Sequence, residues 1–82
     1  MKQNAPNPFT QNTIIYCNVP ATAKLAQLMI FNQDGSKIKS FVLNNGTNNV
    51  TISAASLSSG QYVYSLFIDG KNVESKKMIL TQ

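Results

Sequence analysis

The sequence predicts an all-β chain folded as an antiparallel sandwich, and three observations carry that prediction. Six short apolar segments recur at nearly even spacing, Asp-Gly or Asn-Gly pairs fall between several of them, and a Leu-Ser-Ser-Gly-Gln-Tyr run enters the fifth. The segments run from Thr13 to Val19, Lys24 to Asn32, Lys37 to Leu43, Asn48 to Ser53, Gln61 to Ile68 and Val73 to Thr81, with starts 11 to 13 residues apart. Short strands at that interval are the pattern of a sandwich or small barrel. Ile, Val, Tyr, Phe and Thr dominate them, the side chains that suit a pleated, half-buried surface.

Taken in order, residues 1–12 come first, with Pro6 and Pro8 at alternate positions. Each proline fixes its own φ and biases its predecessor away from helix. The stretch therefore reads as a stiff, extended, polyproline-like lead-in carrying Asn7-Pro8-Phe9, with the sandwich itself at 13–82 and Phe9 as a plug for one end. Cys17, within the first segment, is expected to be core filler. Residues Ala21 to Met29 could pass as helix on propensity. Ala26, Leu28 and Ile30 alternate with Gln27 and Met29, however, so strand is predicted.

Asp34-Gly35, Asn45-Gly46 and Asp69-Gly70 read as three hairpin turns able to take up the positive φ values of type I′. A short helical turn is allowed at Ala54 to Leu57. In the fifth segment Tyr62, Tyr64, Leu66 and Ile68 form one face, expected to be core, and Gln61, Val63, Ser65 and Phe67 the other. Leu57, Gly60 and Tyr62 before a long apolar strand resemble the tyrosine corner of immunoglobulin-like sandwiches, in which the hydroxyl bonds back to upstream backbone. The predicted fold is thus an immunoglobulin-like antiparallel β-sandwich of about seven short strands.

Composition narrows function mainly by exclusion. Eighty-two residues make one domain, and a chain this short buries only a little over roughly 60% of its unfolded surface. A net charge of +4 is compatible with an anionic partner. The seven basic residues are all lysines and scattered, however, and arginine is the preferred side chain for bidentate phosphate and base recognition. No nucleic-acid role is predicted. Without histidine no serine or cysteine triad can be built. The acids are Asp34, Asp69 and Glu74, two of them in turns, which is a poor start for a glycosidase pair or a calcium site. A lone Cys17 excludes an intradomain disulfide and a cysteine-based zinc site, and the four glycines stand singly rather than in a phosphate cradle.

No catalytic residue, metal, cofactor or small-molecule substrate is therefore predicted. The longest apolar run, Leu28 to Phe31, is far short of the roughly 20 residues that span a bilayer. The first residues lack the apolar stretch of a signal peptide, so the expectation is a cytosolic protein or a piece of a longer chain with its signal upstream. Tyrosines can stack on sugars, which leaves a carbohydrate-binding module open, although packing accounts for them better.

Three motifs then combine: Asn4-Ala-Pro-Asn-Pro-Phe9 at the start, Leu57-x-x-Gly60-x-Tyr62-x-Tyr64-Ser65-Leu66, and Asp69-Gly-Lys71 leading to Lys76-Lys77-Met78-Ile79-Leu80-Thr81. Together they resemble the type A C-terminal sorting domain of the type IX (Por) secretion system of Bacteroidetes, over essentially the whole chain. The resemblance implies a domain at the end of a longer protein that enters the periplasm on its own signal peptide. The folded domain would be recognised by the outer-membrane translocon and removed by a sortase-like cysteine peptidase. The cargo would be left at the cell surface or outside the cell.

The resemblance places recognition in Gly60, Tyr62, Asp69, Gly70, Lys71, Lys76, Lys77, Met78, Ile79, Leu80 and Thr81, with Asn7, Pro8 and Phe9 as the opening motif. Gln82 departs from the basic residue frequent at that position. A final strand with a bare edge would suit strand addition by a receptor, with Lys76 and Lys77 discouraging self-pairing and weak self-association left open. The competing resemblance is to the immunoglobulin-like module of flagellar hook-capping proteins, which shares the Asn-Pro-Phe opening.

Overall fold

Alternation along each strand decides what is buried. In the computed structural model, which describes residues 1–81, β1 (Asn12–Val19) turns Thr13, Ile15, Cys17 and Val19 inward, and β2 (Ala26–Phe31) turns in Ala26, Leu28 and Ile30. Leu43 ends β3 (Lys37–Leu43) in the core, and Ile52 is the fully buried residue of β4 (Gly46–Ser53). Tyr62, Tyr64 and Leu66 come from β5 (Gly60–Ile68), and Met78 and Leu80 from β6 (Lys71–Leu80). Each large side chain so buried contributes about 1.5–3 kcal/mol relative to exposure.

The strands form two antiparallel sheets, β1-β4 and β3-β2-β5-β6, facing each other across that core. The seventh strand-like segment is the N-terminal one. Ala5 bridges Ile14 of the small sheet antiparallel, and Phe9 bridges Leu80 of the large sheet parallel. The all-β, immunoglobulin-like sandwich predicted from the sequence is the fold observed. Cys17 is core filler at 2% exposure, and Ala54–Ser56 forms a single 3-10 turn capped by Ser53.

The N-terminal segment is not the extended polyproline-like path expected. It bends at residues 6–8, with the Ala5-Pro6 and Asn7-Pro8 peptides cis. Its backbone is paired rather than solvated: Lys2 N–H donates to Tyr16 O, Ala5 N–H to Ile14 O, and Ile14 N–H back to Ala5 O. A polyproline helix leaves its backbone to water, whereas tertiary pairing claims these groups.

The three predicted hairpins have three different outcomes. Asp69 (φ 49°) and Gly70 (φ 84°) join Ile68 to its partner Lys71 in a two-residue turn with both φ positive, as a type I′ turn requires. Asp34-Gly35 also closes a hairpin, but a wider one. Only Gly35 has positive φ, and Asn32 Oδ1 accepts from the N–H groups of both Asp34 and Ser36 at 3.0 Å.

Asn45-Gly46 makes no hairpin. β3 and β4 lie in different sheets, and this loop is a crossover between them. The dipeptide correctly marks a positive φ, 92° at Gly46, but that says nothing about which strand comes next. β4 pairs instead with β1, from Asn12↔Ser53 to Val19↔Gly46. Asn45 Nδ2 pins the crossover by donating to Pro20 O and Ala23 O.

The Tyr62 hydroxyl donates to the carbonyl of Ser58 four residues upstream, which is the tyrosine corner read from the sequence. Tyr62→Phe deletes only that bond, at a cost of about 0.5–1.5 kcal/mol. For a domain of this size the thermal midpoint should fall by roughly 4–8 °C per kcal/mol. Circular dichroism melting measures the shift, and an unchanged midpoint would remove the bond from the fold's account.

Candidate functional site

The carried-over residues all belong to the β5–β6 hairpin, and the hairpin separates them. A nine-residue β5 rising about 3.3 Å per residue is roughly 30 Å long. Asp69, Gly70 and Lys71 sit at one end of it, and Gly60, Tyr62 and Met78 to Thr81 at the other.

At the turn end, Asp69 does more than shape a turn. Its Oδ1 accepts from the backbone N–H groups of Lys24 and Leu25, both at 2.9 Å, and its own N–H donates to Leu25 O. The carboxylate thereby clamps the β1–β2 loop.

At the other end the two termini of the chain meet. Asn7 Oδ1 accepts from Ile79 N–H at 2.9 Å, across 72 residues of sequence. Phe9 N–H donates to Ile79 O, and Thr81 N–H donates to Phe9 O, each at 2.9 Å. Gln3 Nε2 adds a bond to Lys77 O. Asn7-Pro8-Phe9 and Lys77 to Thr81 are thus one hydrogen-bonded seam, with Phe9 buried beneath it. The edge expected to be bare over Lys76 to Thr81 is instead largely covered: the N-terminal segment bonds Lys77 O, both backbone groups of Ile79 and the Thr81 N–H. Among the side chains, Met78, Leu80 and Tyr62 are core, Lys76 leans on Glu74 at 3.7 Å, and Asp69, Lys71, Lys77 and Thr81 are exposed. Any role for Gln82 lies outside the described residues.

Sequence reasoning missed a buried polar hub behind the seam. Asn4, 2% exposed, donates through Nδ2 to Thr13 Oγ1 at 2.8 Å and to Pro6 O, and accepts from Gln3 Nε2. Its N–H donates to the Tyr64 hydroxyl at 2.7 Å, and that hydroxyl reaches on to Lys2 O. Every polar side-chain atom in the hub has a partner, as burial requires. Period-two alternation places Thr13 and Tyr64 on core faces, but nothing local marks Asn4 as buried. Burial pushes the Tyr64 phenol up from its ordinary value, opposed by the Asn4 N–H bond, and burial likewise pushes the Cys17 thiol up. With Tyr62 and Tyr64 buried, a tyrosine stacking platform for sugars does not form; only Tyr16 is substantially exposed.

A protein-family model described as the secretion system C-terminal sorting domain matches residues 5–81. The chain belongs to that family. The matched span runs from the residue that bridges β1 to the residue that closes the seam on Phe9, so the sorting domain includes its N-terminal strip as well as its sandwich. Neither the curated proteins nor the solved structures gave a match. The family is a type IX secretion signal rather than a catalytic class, and it implies a protein exported across the outer membrane by that machinery. It does not favour the hook-capping or sugar-binding alternatives.

Two outcomes check this account of the seam. Asn7→Ala leaves Ile79 N–H without its acceptor, at a cost of about 0.5–1.5 kcal/mol. Hydrogen exchange at the Ile79 amide should accelerate while the β2 amides stay protected. The second outcome concerns pH. The folded Cys17 thiol ionises above its ordinary 9.0, so beyond that pH the unfolded chain holds fewer protons than the folded one. Stability is then fully present below about pH 9 and falls as pH rises through it. Cys17→Val should flatten the drop in urea midpoint between neutral and alkaline pH, leaving the Tyr64 contribution of the same sign above 10.0.

Proposed function

We propose that the type IX translocon recognises this domain in its folded form, and that a sortase-like cysteine peptidase then separates it from cargo upstream. The observation that supports folded recognition is the seam: Asn7-Pro8-Phe9 and Lys77 to Thr81 form one surface only after the chain has closed. On this reading the exposed members, Asp69, Gly70, Lys71, Lys77 and Thr81, meet the receptor. Gly60, Tyr62, Lys76, Met78, Ile79 and Leu80 hold those members in place. The domain itself performs no chemistry. The N-terminal strip, stitched to both sheets, is where the cargo joins the folded domain, and the route runs through the periplasm to the cell surface.

The test is a reporter with its own signal peptide fused ahead of this chain in a type IX-competent bacterium. The reporter should appear at the surface or in the medium without the domain, and should collect in the periplasm with the domain attached when the translocon gene is deleted. A reporter that stays periplasmic in the intact strain overturns the sorting reading. One that is exported with the domain still attached overturns the peptidase step alone.

A further inference from the structure

The large sheet has two apolar faces, and the small sheet covers only one of them. Behind the core, β2 presents Met29 and Phe31 outward, β5 presents Val63 and Phe67, and β3 presents Val42. Pairing puts these in adjoining rows, with Phe31 opposite Val63, and Gln27 between Val42 and Phe67. The rings of Phe31 and Phe67 lie 6.4 Å apart. Val42 is 75% exposed. A cleft of about 400 Å³ opens on this face between Phe31, Val63, Gln61 and Lys77. An antiparallel sheet facing water on one side ordinarily carries polar residues there, and a contiguous exposed apolar patch marks an interaction site.

The charges around the patch say what chemistry would cover it. Exposed Lys37 adjoins Phe31, exposed Lys77 stands opposite Val63, and neither makes an ion pair among the described residues. No carboxylate stands on these rows. Asp34 is in the β2–β3 turn, Asp69 is held by Lys24 and Leu25, and Glu74 lies opposite core residue Leu66 and meets Lys76 and the Met1 amine. A second copy docking face to face would bring lysine rims together, which repel.

We propose that this outer face is a docking surface for a partner protein of the export machinery that presents an apolar side chain to the cleft, flanked by carboxylates. The inference rests on the sorting reading and adds to it a surface on β2, β3 and β5 that borders the seam at Lys77.

The experiment uses the same reporter fusion with Val42→Glu and Lys37→Glu, singly and together. Asn18→Glu and Thr51→Glu, exposed positions on β1 and β4, serve as controls for added negative charge. The Val42 and Lys37 variants should lower export roughly tenfold, the effect of losing about 1.4 kcal/mol of docking, while thermal midpoints stay near that of the parent. The controls should export normally. A photo-crosslinking residue at position 42 should capture an outer-membrane component of the type IX machinery. Normal export of the doubly substituted fusion overturns the proposal, as does a crosslink joining two copies of the domain. Failure of the unsubstituted fusion to export is a different result, because it sinks the sorting reading and this inference with it.

Discussion

Two sheets that share no strand must be held together by something other than a ladder of backbone hydrogen bonds. With a single cysteine, and that one buried, no disulfide joins them. The core supplies part of the attachment; the N-terminal strip supplies the rest. Ala5 pairs with Ile14 on the small sheet, Phe9 pairs across to Ile79 and Thr81 on the large one, and the Phe9 ring fills the space between. For a chain of 82 residues, where burial leaves little surplus over conformational entropy, such a stitch carries unusual weight. The polar hub of Asn4, Thr13 and Tyr64 makes the stitch specific, because a misplaced strip would leave these buried groups without partners.

The same stitch changes what the last strand can do. An edge strand normally advertises unpaired backbone, which invites both receptors and aggregation. Here Asn7, Phe9 and Gln3 cover the C-terminal part of β6, so the terminal motif is presented as side chains on a finished surface rather than as a strand awaiting a partner. That surface exists only once the strip and β6 have met.

It also shifts attention from the termini to the back of the large sheet. Conventional sandwich packing accounts for Tyr62, Tyr64, Met78 and Leu80 entirely from the core side. It does not account for Met29, Phe31, Val63 and Phe67 lying together on the opposite side with lysines at their margin. A short domain with few charges has little reason to leave an apolar face unpartnered unless another protein completes it.

The sequence by itself determined the strands, the inward faces and the local conformations. Tyr62 was legible as a tyrosine corner, Asp69-Gly70 as a type I′ turn, and Cys17 as core, because period-two alternation and turn chemistry are local properties of the backbone. The motifs of the sorting family were legible for the same reason, as residues in order along the chain. Only the tertiary structure decided which strands pair, and there the local signals failed. Asn45-Gly46 reads like a hairpin but crosses between sheets, since a positive φ specifies a bend and not a partner. Pro6 and Pro8 read like a stiff extended lead-in, yet the strip bends and is claimed on both sides by strands it cannot know about in sequence. Asn4 carries no local mark of burial, and Asp69 none of its grip on Lys24 and Leu25. Side-chain pattern is set by nearest neighbours, whereas pairing, clamps and seams are set by residues tens of positions away that meet only when the sandwich closes.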